Sequence, residues 1–374
     1  MVSTPIRVLQ IMGIVESGGV EAVILNYYRH IDKNKVQFDF VMHKGSNSNY
    51  IEEVVSMGAR VYEITPYTQN IIKFTYEIYS IIKEGNYKIV HSNMNSLSGF
   101  PLMAAWLAGA KVRILHNHTT DSEAEGLRTR VKRLLRPFAK LFANKYWACS
   151  KLAAEWMYGK KLVENNKVTI INNAIDLDKF AFNQAKRDKL RKELGLEGKF
   201  VVGHVGRFVQ TKNHEFLVDV FDEVVKQNDN ARLLLIGDGP LSGLIKSKIS
   251  SLNLMDKVIF LGVRSDMFDL YNVMDVFVLP SLYEGLPVVG VESQANGLPL
   301  LCSDNVTKEV VLSKSIEFIE LRFGSTYWSE KVLFWGQGKR KCVTDGYDVK
   351  KFDINISAKK LIKAYVGDGM EYDS

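Results

Sequence analysis

No stretch of the sequence reaches the roughly 20 apolar residues that a membrane-spanning helix needs. The longest mostly apolar runs, such as 101–110, are about ten residues. The start, MVSTPIRVLQIMGIVESGG, lacks a basic segment, an apolar core and a small-residue cleavage site, so no secretory leader is expected. Cysteine is scarce. Cys149, Cys302 and Cys342 are too few and too scattered for a disulfide framework or a zinc cluster, which makes a reducing cytosol the expected setting. Eight prolines leave little room for a long disordered linker.

What is present is the balance of a globular chain, with 46% hydrophobic and 24% charged residues. At about 150 residues per domain, 374 residues predict two domains or three. Lys plus Arg (49) outnumber Asp plus Glu (42), for a net charge of +7. Such an excess favours anionic partners: nucleotide phosphates, an anionic membrane surface or nucleic acid. Part of it is concentrated. Residues 126–148 contain Arg128, Arg130, Lys132, Arg133, Arg136, Lys140 and Lys145 and no acid.

Short apolar runs alternate with amphipathic stretches along most of the chain. Strands are expected at 6–12, 36–42, 60–64, 88–91, 112–116, 145–148 and 167–171, then at 201–206, 232–236, 257–261, 276–279 and 300–302. Helices are expected between them, for example at 20–30, 70–84, 97–108 and 129–142, and at 214–227, 241–252, 266–273 and 288–296. This alternation predicts parallel sheets covered by helices, and its two series predict two doubly wound α/β domains. The expected division is 1–174, a connector at 175–199 with one polar helix, 200–350, and a terminal stretch 351–374 whose helix can cross back to the first domain. Residues 336–348 read as a basic loop.

Ligands of open parallel sheets sit beyond the carboxyl ends of the strands. Three segments there carry suitable chemistry. Strand 6–12 runs into Gly18-Gly19-Val20-Glu21, where glycines and a helix N-terminus can approach an anion. An ordinary strand-to-helix turn, with Glu21 complementing the helix dipole, gives the same pattern. Strand 201–206 ends in Gly206-Arg207, with Lys212 before the next helix, and two cations there can clamp a diphosphate or merely be solvated. Strand 276–279 leads into Glu284-Gly285-Leu286-Pro287-Val288, with Pro287 suited to a first helical position. Glu284 and Glu292 then bracket a helix N-terminus, one carboxylate for sugar hydroxyls and one for a ribose. A solvated helix face is the alternative for Glu292.

Taken in order, Gly-Gly-Val-Glu, Gly-Arg-x4-Lys and Glu284-x7-Glu292 resemble the retaining glycosyltransferases of family four, the "glycosyl transferases group 1" with the GT-B fold. INNAID (171–176), LLIGDGP (234–240) and FLG (260–262) are similar to that family in order and spacing, so the likeness spans nearly the whole chain. It implies two Rossmann-like domains facing across a cleft that holds a nucleotide-diphosphosugar, with UDP the default. It also implies that Arg207 and Lys212 hold the diphosphate, Glu284 and the backbone of Gly285, Leu286, Pro287 and Val288 the donor sugar, and Glu292 the ribose. Gly19 would approach the phosphates, and the loop around Val263 would face the base. Transfer would retain configuration by front-face attack, with no cofactor and no metal. The run NVTKE at 305–309, with no glycine-rich segment after it, resembles the exopolysaccharide and capsule branch.

The family carries a histidine at the end of the fifth strand. His118 matches its His-Thr form; His116 lies on the same strand face, and His91 ends the preceding strand. A histidine there would stabilise a developing oxocarbenium-like centre and its leaving group. Apolar residues recur at helical spacing through 127–142 with cations between them. This predicts either a core helix with a solvated basic face or an interfacial helix that meets anionic lipid and a lipid-linked or oligosaccharide acceptor. The acceptor or membrane side would then include His91, His116, Arg128, Arg130, Lys132, Arg133 and Arg136. A nucleic-acid module is not recognisable, so nucleic acid is not expected.

Two motifs imitate other chemistry. Asp176-Leu-Asp178 looks like a divalent-metal motif but sits away from every phosphate candidate. Gly237-x-Gly239-x3-Gly243 looks like a dinucleotide fingerprint, but the next strand lacks the expected acid. The expected protein is a cytoplasmic transferase, able to sit on the inner face of the plasma membrane, in surface-polysaccharide assembly. A nucleotide-sugar epimerase on the same architecture and a non-enzymatic lipid- or nucleic-acid-binding protein stay open, because function lives in the site.

Overall fold

A computed structural model describes residues 4–16, 18–120, 127–338, 340 and 349–367, with backbone alone for 127–129. They form two compact units, one ending at Ala174 and completed by residues from Ile354 onward, the other running from Ile175 to Asp353.

The first unit is built on seven strands among the described residues: β1 (Ile6–Ile11), β2 (Val36–His43), β3 (Val61–Ile64), β4 (Ile89–Ser92), β5 (Val112–Asn117), β6 (Lys145–Ala148) and β7 (Val168–Ile170). All pair in parallel, in the order β3-β2-β1-β4-β5-β6-β7. Helices cover such sheets on both faces, so central strands read as continuous apolar runs rather than alternating ones. β2 (VQFDFVMH) is buried at every position. Its one acid, Asp39, is satisfied by the Arg7 guanidinium, the Tyr87 hydroxyl at 2.7 Å and the Arg60 amide at 2.7 Å. On one face the helices Gly19–His30 and Ile354–Val366 pack together. Tyr28 of the former stacks on Phe38, and Tyr365 of the latter meets Phe38 edge-on.

The second unit has six strands among the described residues: β8 (Phe200–Val205), β9 (Ala231–Ile236), β10 (Val258–Gly262), β11 (Val276–Leu279), β12 (Leu300–Ser303) and β13 (Ile316–Ile319). These too are all parallel, in the order β10-β9-β8-β11-β12-β13. The helices His214–Gln227 and Gly324–Gly336 pack together over the core, with Trp328 fully buried. Strand β13 and helix Gly324–Gly336 are absent from the sequence expectations. So are the first-unit helices Ser48–Ser56, Lys151–Tyr158 and Lys160–Glu164. The helix expected at 266–273 is a single turn, Met267–Leu270.

Residues 175–199, read above as a connector, lie within the second unit and carry two helices, Leu177–Phe180 and Gln184–Glu193. Arg187 and Arg191 of the latter fork onto the carboxylate of Asp275 at 2.5 and 2.6 Å. Asp275 in turn accepts from Val201 N of β8 at 2.7 Å. The chain enters this unit at Ile175 and leaves at Asp353, and those two residues bridge each other. The basic loop expected at 336–348 lies largely outside the described residues, as does Cys342.

Candidate active site

In the second sheet the strand order reverses between β8 and β11, the place where the loops leaving two adjacent strands diverge and open a crevice. The loop after β8 begins at Gly206, where a side chain would crowd His204 and the stem of Lys212. It ends at Asn213 in the left-handed conformation (φ 56), which asparagine tolerates better than most residues. The loop after β11 runs from Pro280 to Pro287. Three contacts tie the two loops together. Leu282 N donates to Thr211 O at 2.8 Å, Asn213 Nδ2 donates to Pro280 O at 3.1 Å, and Lys212 Nζ pairs with Glu284 Oε1. The Ser281 hydroxyl adds a bond to the same Glu284 oxygen at 3.0 Å. Arg207 is exposed on the first of these loops.

Gly285, Leu286 and Pro287 are buried, and Pro287 is the N-cap of the helix Val288–Ala295, one position before the expected first turn. Glu292 lies in the second turn of that helix. It is not a solvated-face glutamate: the fully buried Tyr271 donates its hydroxyl to Glu292 Oε2 at 2.8 Å. Burial pushes the Glu292 carboxyl up to about 7, against the pull of that hydroxyl. Val263, on the loop after β10, is exposed beside the Arg264–Asp266 ion pair.

The imitation motifs resolve into structure. Gly237 has φ +126, and a side chain there would strike the carbonyl of Gly206, as one at Gly239 would strike the backbone of Phe208. These glycines let the loops after β8 and β9 nest backbone on backbone, with Phe208 N donating to Asp238 O at 2.9 Å. Asp176 caps its short helix by accepting from Lys179 N at 3.1 Å.

In the first sheet the order reverses between β1 and β4. Gly19 opens the helix Gly19–His30, and the Glu21 carboxylate occupies the space that a side chain at Gly18 would fill. The acid therefore sits over the helix N-terminus, where its charge is favoured. At the ends of β4 and β5, three histidines gather. His91 and His116 are buried with their rings stacked at 5.1 Å, and the ring of His118 lies 3.9 Å from that of His116. His118 is the one of the three with partial exposure. Its backbone amide donates to Asn95 Oδ1 at 2.7 Å. Burial pushes all three below the ordinary histidine range, His118 to about 3. They are neutral at pH 7, so His118 offers a dipole and a hydrogen bond rather than a positive charge. A cavity of about 20 Å³, room for about one water, is lined by these histidines with Gln10, Tyr27 and Tyr365.

The basic helix spans Leu127–Phe142. Phe138, Ala139 and Phe142 pack on the helix Gly99–Leu107, Phe138 filling the space over Gly99. The opposite side is exposed and mixed: Arg130, Val131, Arg133, Leu134, Pro137 and Leu141, with Trp106 and Leu107 of the neighbouring helix also exposed. Lys132 is half-buried, and Arg136 lies over the Trp156 ring at 5.0 Å. The side chain of Arg128 lies outside the described residues.

Lys212, Glu284 and Ser281 thus converge, and His91, His116 and His118 converge separately. Tyr271, Gln10, Asn93 and Tyr365 were missed, because each acts by a contact with a residue distant in sequence and belongs to no motif; Ser281 is only three positions from Glu284, and no motif singled out its hydroxyl.

Two family models match the chain: Glycosyltransferase Family 4 over residues 17–179 and Glycosyl transferases group 1 over residues 186–315. Glycosyltransferase EpsF of Bacillus subtilis is 35% identical over 98% of this chain and 97% of its own length. The UDP-Gal:α-D-GlcNAc-diphosphoundecaprenol α-1,3-galactosyltransferase of Escherichia coli is 27% identical over 76% of each chain. Among solved structures, HepE of Anabaena with UDP-glucose superposes with a TM-score of 0.73 at 18% identity, covering 96% of this chain and 94% of its own.

Proposed function

We propose that this chain, which belongs to the family-4 glycosyltransferases and has their GT-B fold, moves a hexose from a UDP-sugar to a lipid-linked or saccharide acceptor in surface-polysaccharide assembly. The transfer retains configuration and uses no metal. The observation that carries this reading is the pairing of Lys212 with Glu284 beside the helix that begins at Val288. A cation, a carboxylate and a helix N-terminus stand together at the switch point of a parallel sheet, which suits a diphosphate joined to a sugar.

In this reading the donor replaces an internal ion pair. Its diphosphate takes Lys212, with Arg207 alongside, and the released Glu284 accepts hydrogen bonds from sugar hydroxyls. Glu292 accepts from the ribose, and the Val263 loop faces the base. The anomeric C–O bond to phosphate breaks while a new C–O bond forms to the acceptor on the same face, and the acceptor proton passes to the departing phosphate oxygen. His118, as a neutral imidazole, is suited to a hydrogen bond with a sugar hydroxyl. The donor and acceptor named for the Escherichia coli relative, and the UDP-glucose bound to HepE, support the choice of UDP and of a lipid-linked acceptor.

The mixed apolar and basic side of Leu127–Phe142 supports a peripheral seat on the anionic inner face of the plasma membrane. Among the described residues no helix is long and apolar enough to cross a membrane.

A panel of UDP-, GDP-, ADP- and dTDP-sugars, scored by thermal shift and then by turnover, tests the proposal. Stabilisation by a UDP-sugar, followed by transfer only when acceptor is added, is expected. Conversion of the donor sugar without acceptor would make the protein an epimerase, and stabilisation by no donor would remove the nucleotide-sugar reading.

A further inference from the structure

Gln10, on β1, joins two hydrogen-bond chains that end on adjacent histidines. Its Nε2 donates to the Tyr365 hydroxyl at 3.1 Å, and that hydroxyl lies 2.6 Å from His91 Nδ1. His91 Nε2 lies 3.0 Å from His116 Nδ1. On the other side Asn93 Nδ2 donates to Gln10 Oε1 at 3.0 Å, and Asn93 Oδ1 lies 3.0 Å from His118 Nε2.

The proton positions follow from the partners. A hydroxyl that accepts from Gln10 donates to His91 Nδ1, so His91 carries its proton on Nε2 and gives it to His116 Nδ1. His116 then carries its own proton on Nε2, and His118 donates from Nε2 to Asn93. The ends of the network are unlike: His116 ends in an N–H and His118 in a bare Nδ1. Both end atoms are buried without a hydrogen-bond partner among the described residues. Turning over the Gln10 and Asn93 amides together reverses every bond and exchanges the ends. They stay unlike, because an amide donates on one side and accepts on the other.

We propose that Gln10 and Tyr365 are positioning residues that lock His91, His116 and His118 into one shared tautomer, so that the stacked His116–His118 pair always offers one donor and one acceptor. A hydroxyl both donates and accepts, and a sugar hydroxyl is the ligand group this pair suits. The inference rests on the reading above in which His118 bonds a sugar hydroxyl. The helix Ile354–Val366 thereby takes part in the chemistry of a strand end through one hydroxyl.

The test is a two-bond proton–nitrogen spectrum of the full chain labelled in its histidine rings. In the wild type all three histidines should carry the proton on the same nitrogen. In Tyr365→Phe, His91 and His116 should lose that single tautomer while His118, held through Asn93, keeps it. Mixed tautomers in the wild type overturn the proposal even if the variant fails to fold, and so does an unchanged pattern in Tyr365→Phe. Turnover gives the second reading: kcat should fall on the order of tenfold with the donor KM unchanged, the range seen when a group that orients a working imidazole is removed. A shifted tautomer with wild-type kcat rejects the positioning role. Failure of the underlying reading is separate: His118→Ala at the wild-type rate would remove His118 from the chemistry and leave the tautomer result intact.

Discussion

Lys212 and Glu284, 72 positions apart, neutralise each other with only 19% and 16% of their side chains exposed. A donor that separates them gains two charged partners at once. Lys212→Ala should weaken UDP binding roughly ten- to a hundredfold, the worth of a charge-assisted hydrogen bond, and leave uridine binding nearly unchanged. Glu284→Gln should lower kcat/KM for the sugar donor by a similar factor with UDP affinity retained. Calorimetry with UDP and uridine separates the two, and equal UDP affinity in Lys212→Ala would remove the lysine from the phosphate.

Glu292 titrates near neutrality. Its carboxyl is raised from 4.5 to about 7, so the folded state holds a proton that the unfolded chain releases. Stability is unaffected below about pH 4.5, falls as pH rises toward 7, and the loss then levels off at about 3 kcal/mol or less. Glu292→Gln should therefore raise the melting temperature at pH 8 and not at pH 4.5. If the ionised carboxylate accepts from the ribose, UDP affinity should rise from pH 6 to 8 in the wild type more than in the variant. Parallel profiles would end that role.

Histidines work in the opposite direction. Burial depresses His91, His116 and His118, and also His204 (to about 4) and His214 (to about 2) in the second unit. Each favours the folded state above the ordinary histidine range, and that stability is lost as pH falls through it. Melting temperature should drop steeply between pH 6.5 and 5. His214→Gln should flatten that drop, which scanning calorimetry across the range would reveal.

Leu134 and Leu141 are 77% and 73% exposed on a helix whose cations surround them. Replacing both with Ser should abolish flotation on vesicles containing anionic lipid and leave the melting temperature within about 1 °C, because neither is buried. Arg130→Glu with Arg133→Glu should do the same and remove the salt dependence. Equal flotation by all variants would return the helix to a solvated surface.

Strand β11, with the loop that carries Glu284, was legible because VFVL is short, apolar and followed by turn residues, and its burial is complete. The helix Gly324–Gly336 was not. It opens on Gly-Ser-Thr and carries no capping acid, so its start resembles a loop. Only the spacing of Trp328, Val332 and Trp335 marks the face that packs on His214–Gln227. β13 is a four-residue edge strand whose sequence, IEFI, is too short to separate from a turn. At the candidate site, residues within motifs were visible by spacing. Tyr271 and Tyr365 were not, because a hydroxyl that reaches a buried carboxylate or imidazole from another element leaves no local pattern.

The helix Ile354–Val366 belongs to the unit that is synthesised first. Until translation passes residue 366, the nascent first sheet lacks Tyr365, which lies against Phe38 and Trp147. At about 5–20 residues per second, the gap after Ala174 lasts roughly ten to forty seconds. Throughout that interval the face that Tyr365 covers stays open to water, so the first unit closes only after the second has been made.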